Sequence, residues 1–222
     1  MKKLSTVLII IFILFGCSSK KISPVFLEGE GLFEKYIDNY LKGKQVSEVY
    51  FDKAVNVFQR ADDFCNISRL YIAKFVLNEE SNDIKSLESA KFFADTGKCG
   101  DEQNIINYLT DKEYILEKLP DHYQKYIRFR NSKKYEELLD DLKDAPEYFK
   151  SRVLRKTANE LESNNSLILI DEAYKIDKFN GWTLNIYRDL KIKRDILVKI
   201  GSDISEIDLR INNLEHILMI KN

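Results

Sequence analysis

The chain has 222 residues, 35 of them basic and 36 acidic, for a formal net charge of −1. So balanced a charge gives no electrostatic footprint for nucleic acid, and no nucleic-acid partner is expected. Only eight glycines and three prolines occur, which disfavours a many-turned β fold and favours long helices.

In chain order, Lys2 and Lys3 precede an apolar run from Val7 to Phe15. This is the layout of a secretory signal peptide, too short to serve as a lasting membrane span. Residues 18–30 read as a tether, because Pro24 and Gly29 oppose a regular helix. From Leu32 onward the pattern is helical. Tyr50, Ala54, Val57, Phe58 and Ala61 share one face at spacings of three and four. Ile67, Leu70, Tyr71 and Phe75 predict a helix after the Asp62-Asp63 break. Ile84, Leu87, Ala90, Phe93 and Ala94 predict another, stopped by Gly97 and Gly100. Shorter helices are expected over 102–109 and 111–118, ending at Pro120. Asp121 then caps a helix carrying Tyr123, Tyr126 and Ile127. Tyr135, Leu138, Leu139 and Leu142 repeat the signature. The fold class is therefore all-α.

The last third differs. Ile186, Leu190, Leu197, Ile200, Ile204, Ile207, Ile211, Leu214 and Leu218 keep a heptad spacing, as a coiled coil requires. Gly201, with Asp203 and Glu206 after it in a capping-box-like arrangement, would instead suit a helical hairpin. One long helix and a hairpin both satisfy the pattern. The organisation expected is a signal peptide over 1–16, a tether over 17–31, a helical domain over 32–180 and heptad-patterned helices over 181–222.

Leu14-Phe15-Gly16-Cys17, followed by Ser18 and Ser19, resembles the bacterial lipoprotein signal. The resemblance implies cleavage after Gly16 and a diacylglycerol and N-acyl lipid on Cys17, with no other cofactor. By the family's sorting rules Ser18 implies the outer membrane, and the expected orientation faces the periplasm. Two or three acyl chains, at ~0.8 kcal/mol per buried methylene, would hold the protein without a spanning helix. Phe51-Asp52-Lys53-Ala54 with Phe58 and Ala61 resembles the second helix of a tetratricopeptide repeat. Tyr135-Glu136-Glu137-Leu138 and Ile170-Asp171-Glu172-Ala173 resemble parts of the same unit. That resemblance implies irregular helical hairpins stacked through small alanines; an irregular helical bundle is the alternative.

Cys65 and Cys99 remain after Cys17. An extracytoplasmic location permits a disulfide between them, closing a loop of about 35 residues and stabilising by about 3–4 kcal/mol; two separately buried thiols are the other option. His122 and His216 lie apart from each other and from cysteine pairs, so no metal site is expected. No glycine-rich phosphate loop and no Gly-x-Ser-x-Gly elbow occurs. The adjacent acids Asp62-Asp63, Asp140-Asp141 and Asp171-Glu172 point ~100° apart on a helix and read as solvated faces or caps.

The basic clusters Arg128–Lys134 and Lys150–Lys156 are interleaved with Phe129, Tyr135, Tyr148 and Phe149. They read as outer helix faces or as a patch facing anionic lipid or an acidic partner. With Trp182, these four aromatics are the candidate partner-binding residues; Trp182 is also expected to seal the junction with the C-terminal helices. The function these features favour is a non-enzymatic, membrane-anchored adaptor that binds another envelope protein. The alternatives are a structural lipoprotein self-associating through 184–220 and a cell-wall-acting enzyme.

Overall fold

The computed structural model describes residues 23–78, 83–132, 135–161 and 165–220, with the side chains of 132, 135 and 136 left aside. Met1–Cys17, the signal-like segment and its lipidation site, lie outside the described residues, as do residues 18–22 of the tether. Among the described residues the structure is all helical. The helices are α1 (Pro24–Leu41), α2 (Ser47–Arg60), α3 (Phe64–Leu77), α4 (Ile84–Gly97), α5 (Gly100–Leu109), α6 (Asp121–Ser132), α7 (Tyr135–Asp141), α8 (Glu147–Glu160), α9 (Asn165–Asn180), α10 (Thr183–Lys199) and α11 (Ser205–Leu218). Helices adjacent in sequence pack as pairs: α1 on α2, α3 on α4, α8 on α9, and α10 between α9 and α11.

Two expectations are corrected. The stretch expected as a tether is already α1 from Pro24 onward. Pro24 takes a first-turn position, where its missing N–H costs nothing. Gly29 lies where the helix touches α2, and a Cβ there would come within 2.8 Å of three ring carbons of Phe58. The glycine marks a close approach rather than a break. The second correction is at 111–118, where only a 3-10 turn over Leu116–Lys118 forms. Its Asn104 partner on α5 binds the chain at Ile115 through both amide groups, at 2.7 and 2.9 Å.

Local chemistry sets the other boundaries. Asp63 and Asp83 cap α3 and α4, accepting from the N–H of Asn66 (3.1 Å) and Ser86 (3.2 Å). Cys65 and Cys99 are bonded, with an S–S distance of 2.02 Å, which ties the start of α3 to the turn between α4 and α5. Gly201, at φ +70°, turns the chain between α10 and α11. The heptad-patterned segment is thus a hairpin, and its stripe closes on itself: Leu190, Ile207 and Ile211 are buried together with Tyr187.

Two large clusters form the core. One joins Tyr36, Leu41, Phe51, Ala54, Phe58, Ile67 and Leu70 from α1–α3 with Trp182. The other joins Phe129, Leu138, Phe149, Leu154, Leu169 and Ile170 from α6–α9. Tyr148 and Ile176 pack against both. Ala54, Ala90, Ala158 and Ala173 are wholly buried where helices meet, as small residues permit. Ala61 is not part of that contact; it follows the end of α2 and is exposed.

Candidate functional site, a basic cleft between the two helical groups

The spacing within α8 builds one wall of the site. Tyr148, Arg152, Arg155 and Asn159 fall at intervals of four, three and four, so they share a face, and Lys156 flanks it. On α10, Asn185, Arg188 and Ile192 repeat the arrangement. The ends of α1 and α3 supply Leu41, Val76 and Leu77. These residues line a half-open cleft of about 220 Å3. Four lining side chains are cationic, and no carboxylate is among the described lining residues. Its floor is hydrocarbon.

Behind the cleft lies a buried polar network. Arg155 donates from Nε to Asp189 Oδ1 and from Nη2 to Asp177 Oδ2, both at 2.6 Å. Asp177 also accepts from Ser151 Oγ at 2.6 Å and from Asn185 Nδ2 at 3.3 Å. The two carboxylates are 0% and 1% exposed. One arginine facing two buried acids leaves a surplus negative charge in a poorly solvating place. Burial foremost, and Asp177 beside it, push the Asp189 carboxyl well above its ordinary range against the pull of Arg155. Asp189 Oδ2 has no hydrogen-bond partner among the described residues, and a proton on it supplies a donor toward Asp177.

The network continues to the other side of the cleft. Arg188 donates to Asn185 Oδ1 at 3.3 Å and to Tyr40 Oη at 3.2 Å, with its guanidinium 5.8 Å from the Tyr40 ring centroid. Tyr40 in turn bonds Asn78 Oδ1 at the end of α3. Trp182 Nε1 donates to Asp38 on α1 at 3.3 Å. Arg155 and Arg188 are therefore held by fixed partners on α1, α9 and α10. Such preorganisation lowers the ordering cost of binding.

Of the residues singled out from sequence, Tyr148 lines the cleft. Phe129, Phe149 and Trp182 do not offer a surface: they are 4%, 2% and 7% exposed and belong to the core. Phe149 carries the half-buried His122 ring at 4.4 Å between centroids, and burial lowers the His122 pKa. Tyr135 begins α7, and its side chain lies outside the described residues. His216 is exposed on α11. The basic cluster 150–156 contributes Arg152, Arg155 and Lys156 to the cleft, so part of it faces inward rather than outward. Arg188, Asn185, Asp177 and Asp189 were not singled out; their only signal is polar residues on the apolar sides of α9 and α10. Glu102, buried and paired with Arg69, approaches Cys65 and Cys99, but the disulfide occupies both sulfurs.

Fold and site together define an all-helical protein with a cationic, hydrocarbon-floored cleft between its N-terminal and C-terminal helices. No protein-family model, no curated protein and no solved structure matches the chain.

Proposed function

We propose that this protein is a non-enzymatic adaptor, lipid-anchored through Cys17 in a bacterial outer membrane, that docks an acidic envelope protein over the cleft. The observation that carries the reading is the cleft itself, where Arg152, Arg155, Lys156 and Arg188 surround an apolar floor of one-residue size. Interfaces draw most of their affinity from a few anchors seated in such pockets. Complementary charge adds encounter rate and selectivity. The anchor rests on the sequence around Cys17, and the Cys65–Cys99 bond suits an oxidising compartment. A binding role is further supported by Asp177 and Asp189, a carboxylate pair sealed from solvent and committed to Arg155. The α10–α11 stripe, closed within the chain, supports a heterologous partner over self-association.

The test is affinity purification of the full chain against its Arg152→Glu and Lys156→Glu variants from native cells. An acidic envelope protein recovered stoichiometrically with the parent chain and lost from both folded variants is the expected result. Equal recovery from all three contradicts the reading. Replacing Cys17 by alanine is expected to move the protein from the membrane to the soluble fraction.

A further inference from the structure

The N-terminal helices have two distinguishable ends. α1 and α2 run antiparallel, because Gly29 meets Phe58 and Tyr36 meets Phe51. The start of α1 therefore lies beside the end of α2, and the chain passes from there through Asp62-Asp63 into α3. The disulfide ties Cys65, in the first turn of α3, to Cys99, which follows α4. One end thus gathers the starts of α1 and α3 with the ends of α2 and α4. Apolar side chains face water there: Val25 and Leu27 in the first turn of α1, and Phe92 about one and a half turns before α4 stops, are 36%, 58% and 64% exposed. The opposite end also shows apolar residues. Val46 and Val49 begin α2, and Ile217 joins them because its neighbour Leu218 packs on Gly43 after α1. Exposure alone does not separate the two ends.

Distance to the anchor does. Six residues, 18–23, stand between Cys17 and Pro24. Even fully extended, seven residue steps reach about 25 Å, so α1 must begin within that distance of a lipid on Cys17. The opposite end lies a further helix length away, about 27 Å for the 18 residues of α1. We infer that the end carrying Val25, Leu27 and Phe92 seats on the phospholipid surface that holds Cys17, with these side chains at the boundary of headgroups and acyl chains. The inference rests on the lipid anchor in the reading above and assigns the face turned to the membrane. A short tether makes the contact intramolecular, so weak apolar contacts suffice to populate it. Each side chain of this size that leaves water multiplies the seated population by roughly tenfold. Leu41, at the cleft, is separated from Pro24 by about 25 Å of helix. A seat at the start of α1 therefore leaves the cleft clear of lipid for a protein partner.

The test uses the full acylated chain in vesicles of phosphatidylethanolamine and phosphatidylglycerol, with a nitroxide on Leu27→Cys, Phe92→Cys or Ile217→Cys. Cys65 and Cys99 are bonded and do not take the label. Each label is compared with the same label on the Cys17→Ala chain in solution. Collision with a water-soluble nickel complex is expected to fall by about fivefold or more at 27 and 92, with collision by oxygen rising, and to stay within about twofold at 217. Adding Leu27→Glu to the chain labelled at 92 should return that label toward its solution value. Positions 27 and 92 lie on different helices, so one still reports if the other variant fails to fold.

An acylated, vesicle-bound chain whose labels at 27 and 92 collide with nickel as freely as in solution overturns the inference and leaves the anchor standing. Equal shielding at 217 overturns it too, because the body then lies on lipid without a chosen face. A chain that carries no acyl mass on Cys17 overturns the anchor, and the inference with it.

Discussion

Replacing Asp177 by alanine tests the buried network most severely. The carboxylate is fully buried and accepts from Arg155, Ser151 and Asn185. Its removal breaks a buried ion pair, at about 3–5 kcal/mol. Two further donors are left short of an acceptor, at about 1–3 kcal/mol each where no water reaches them. One effect opposes these losses. With Asp177 gone, Asp189 ionises more readily and takes a fuller pairing with Arg155. Set against a gross loss of at least about 5 kcal/mol, that relief should leave a net loss of about 4 kcal/mol or more; at this chain length 1 kcal/mol moves Tm by about 2–4 °C, so the midpoint falls by at least about 8 °C. Urea titration followed by circular dichroism measures it directly. The double variant Arg155→Met with Asp177→Ala should lose less than the sum of the single changes, because each single change strands the other partner. A loss below about 1 kcal/mol for Asp177→Ala, or strict additivity in the cycle, would refute the account of the network.

Three other outcomes follow from the same structure. Asp189 holds its proton above the unfolded value of 3.8, so its stabilising contribution is complete below that pH and is lost as pH rises toward the raised folded value. Asp189→Asn keeps the neutral form, and its stability relative to the parent should increase as pH rises above about 4; urea midpoints that stay parallel as pH rises would contradict the raised value. Replacing both Cys65 and Cys99 by serine should cost about 4 kcal/mol for a loop of 34 residues, and the parent chain should migrate faster on a denaturing gel without reductant than with it. Gly29→Ala places a Cβ against the buried Phe58 ring; overpacking of about 1–3 kcal/mol is set against about 1 kcal/mol of helix propensity, for a net loss of up to about 2 kcal/mol by thermal melting.

The fold was legible wherever a local period decided it. Apolar residues three and four apart marked α2–α4, and Asp63 and Asp83 stood at the starts they cap. The hairpin at Gly201 was one of two readings the sequence allowed, and burial of Leu190 against Ile207 and Ile211 selects it. What misled was residue type taken without its neighbour. Pro24 and Gly29 signal a break only when nothing packs on the glycine, and Phe58 does. The aromatics Phe129 and Phe149 resembled interface anchors, yet both are buried in the core of α6–α9; Trp182, read first as a junction seal and second as an anchor, is buried against α1–α3. The site was legible only in part. The basic residues of α8 stood out, but Asp177 and Asp189, which hold Arg155, lie 22 and 34 residues along the chain, on α9 and α10. No local pattern encodes a contact at that separation. Their polar character on otherwise apolar helix sides was the only trace.

The measurement that tests the central claim most directly is site-specific photo-crosslinking in native cells, with the crosslinker in place of Tyr148 at the cleft or of Phe92, an exposed residue of α4 outside it. The account predicts that position 148 captures one acidic envelope protein, that Arg152→Glu removes the product, and that position 92 does not capture it. Capture of the same protein from position 92 and not from position 148, or capture at 148 that is indifferent to Arg152→Glu, would contradict docking through the cleft.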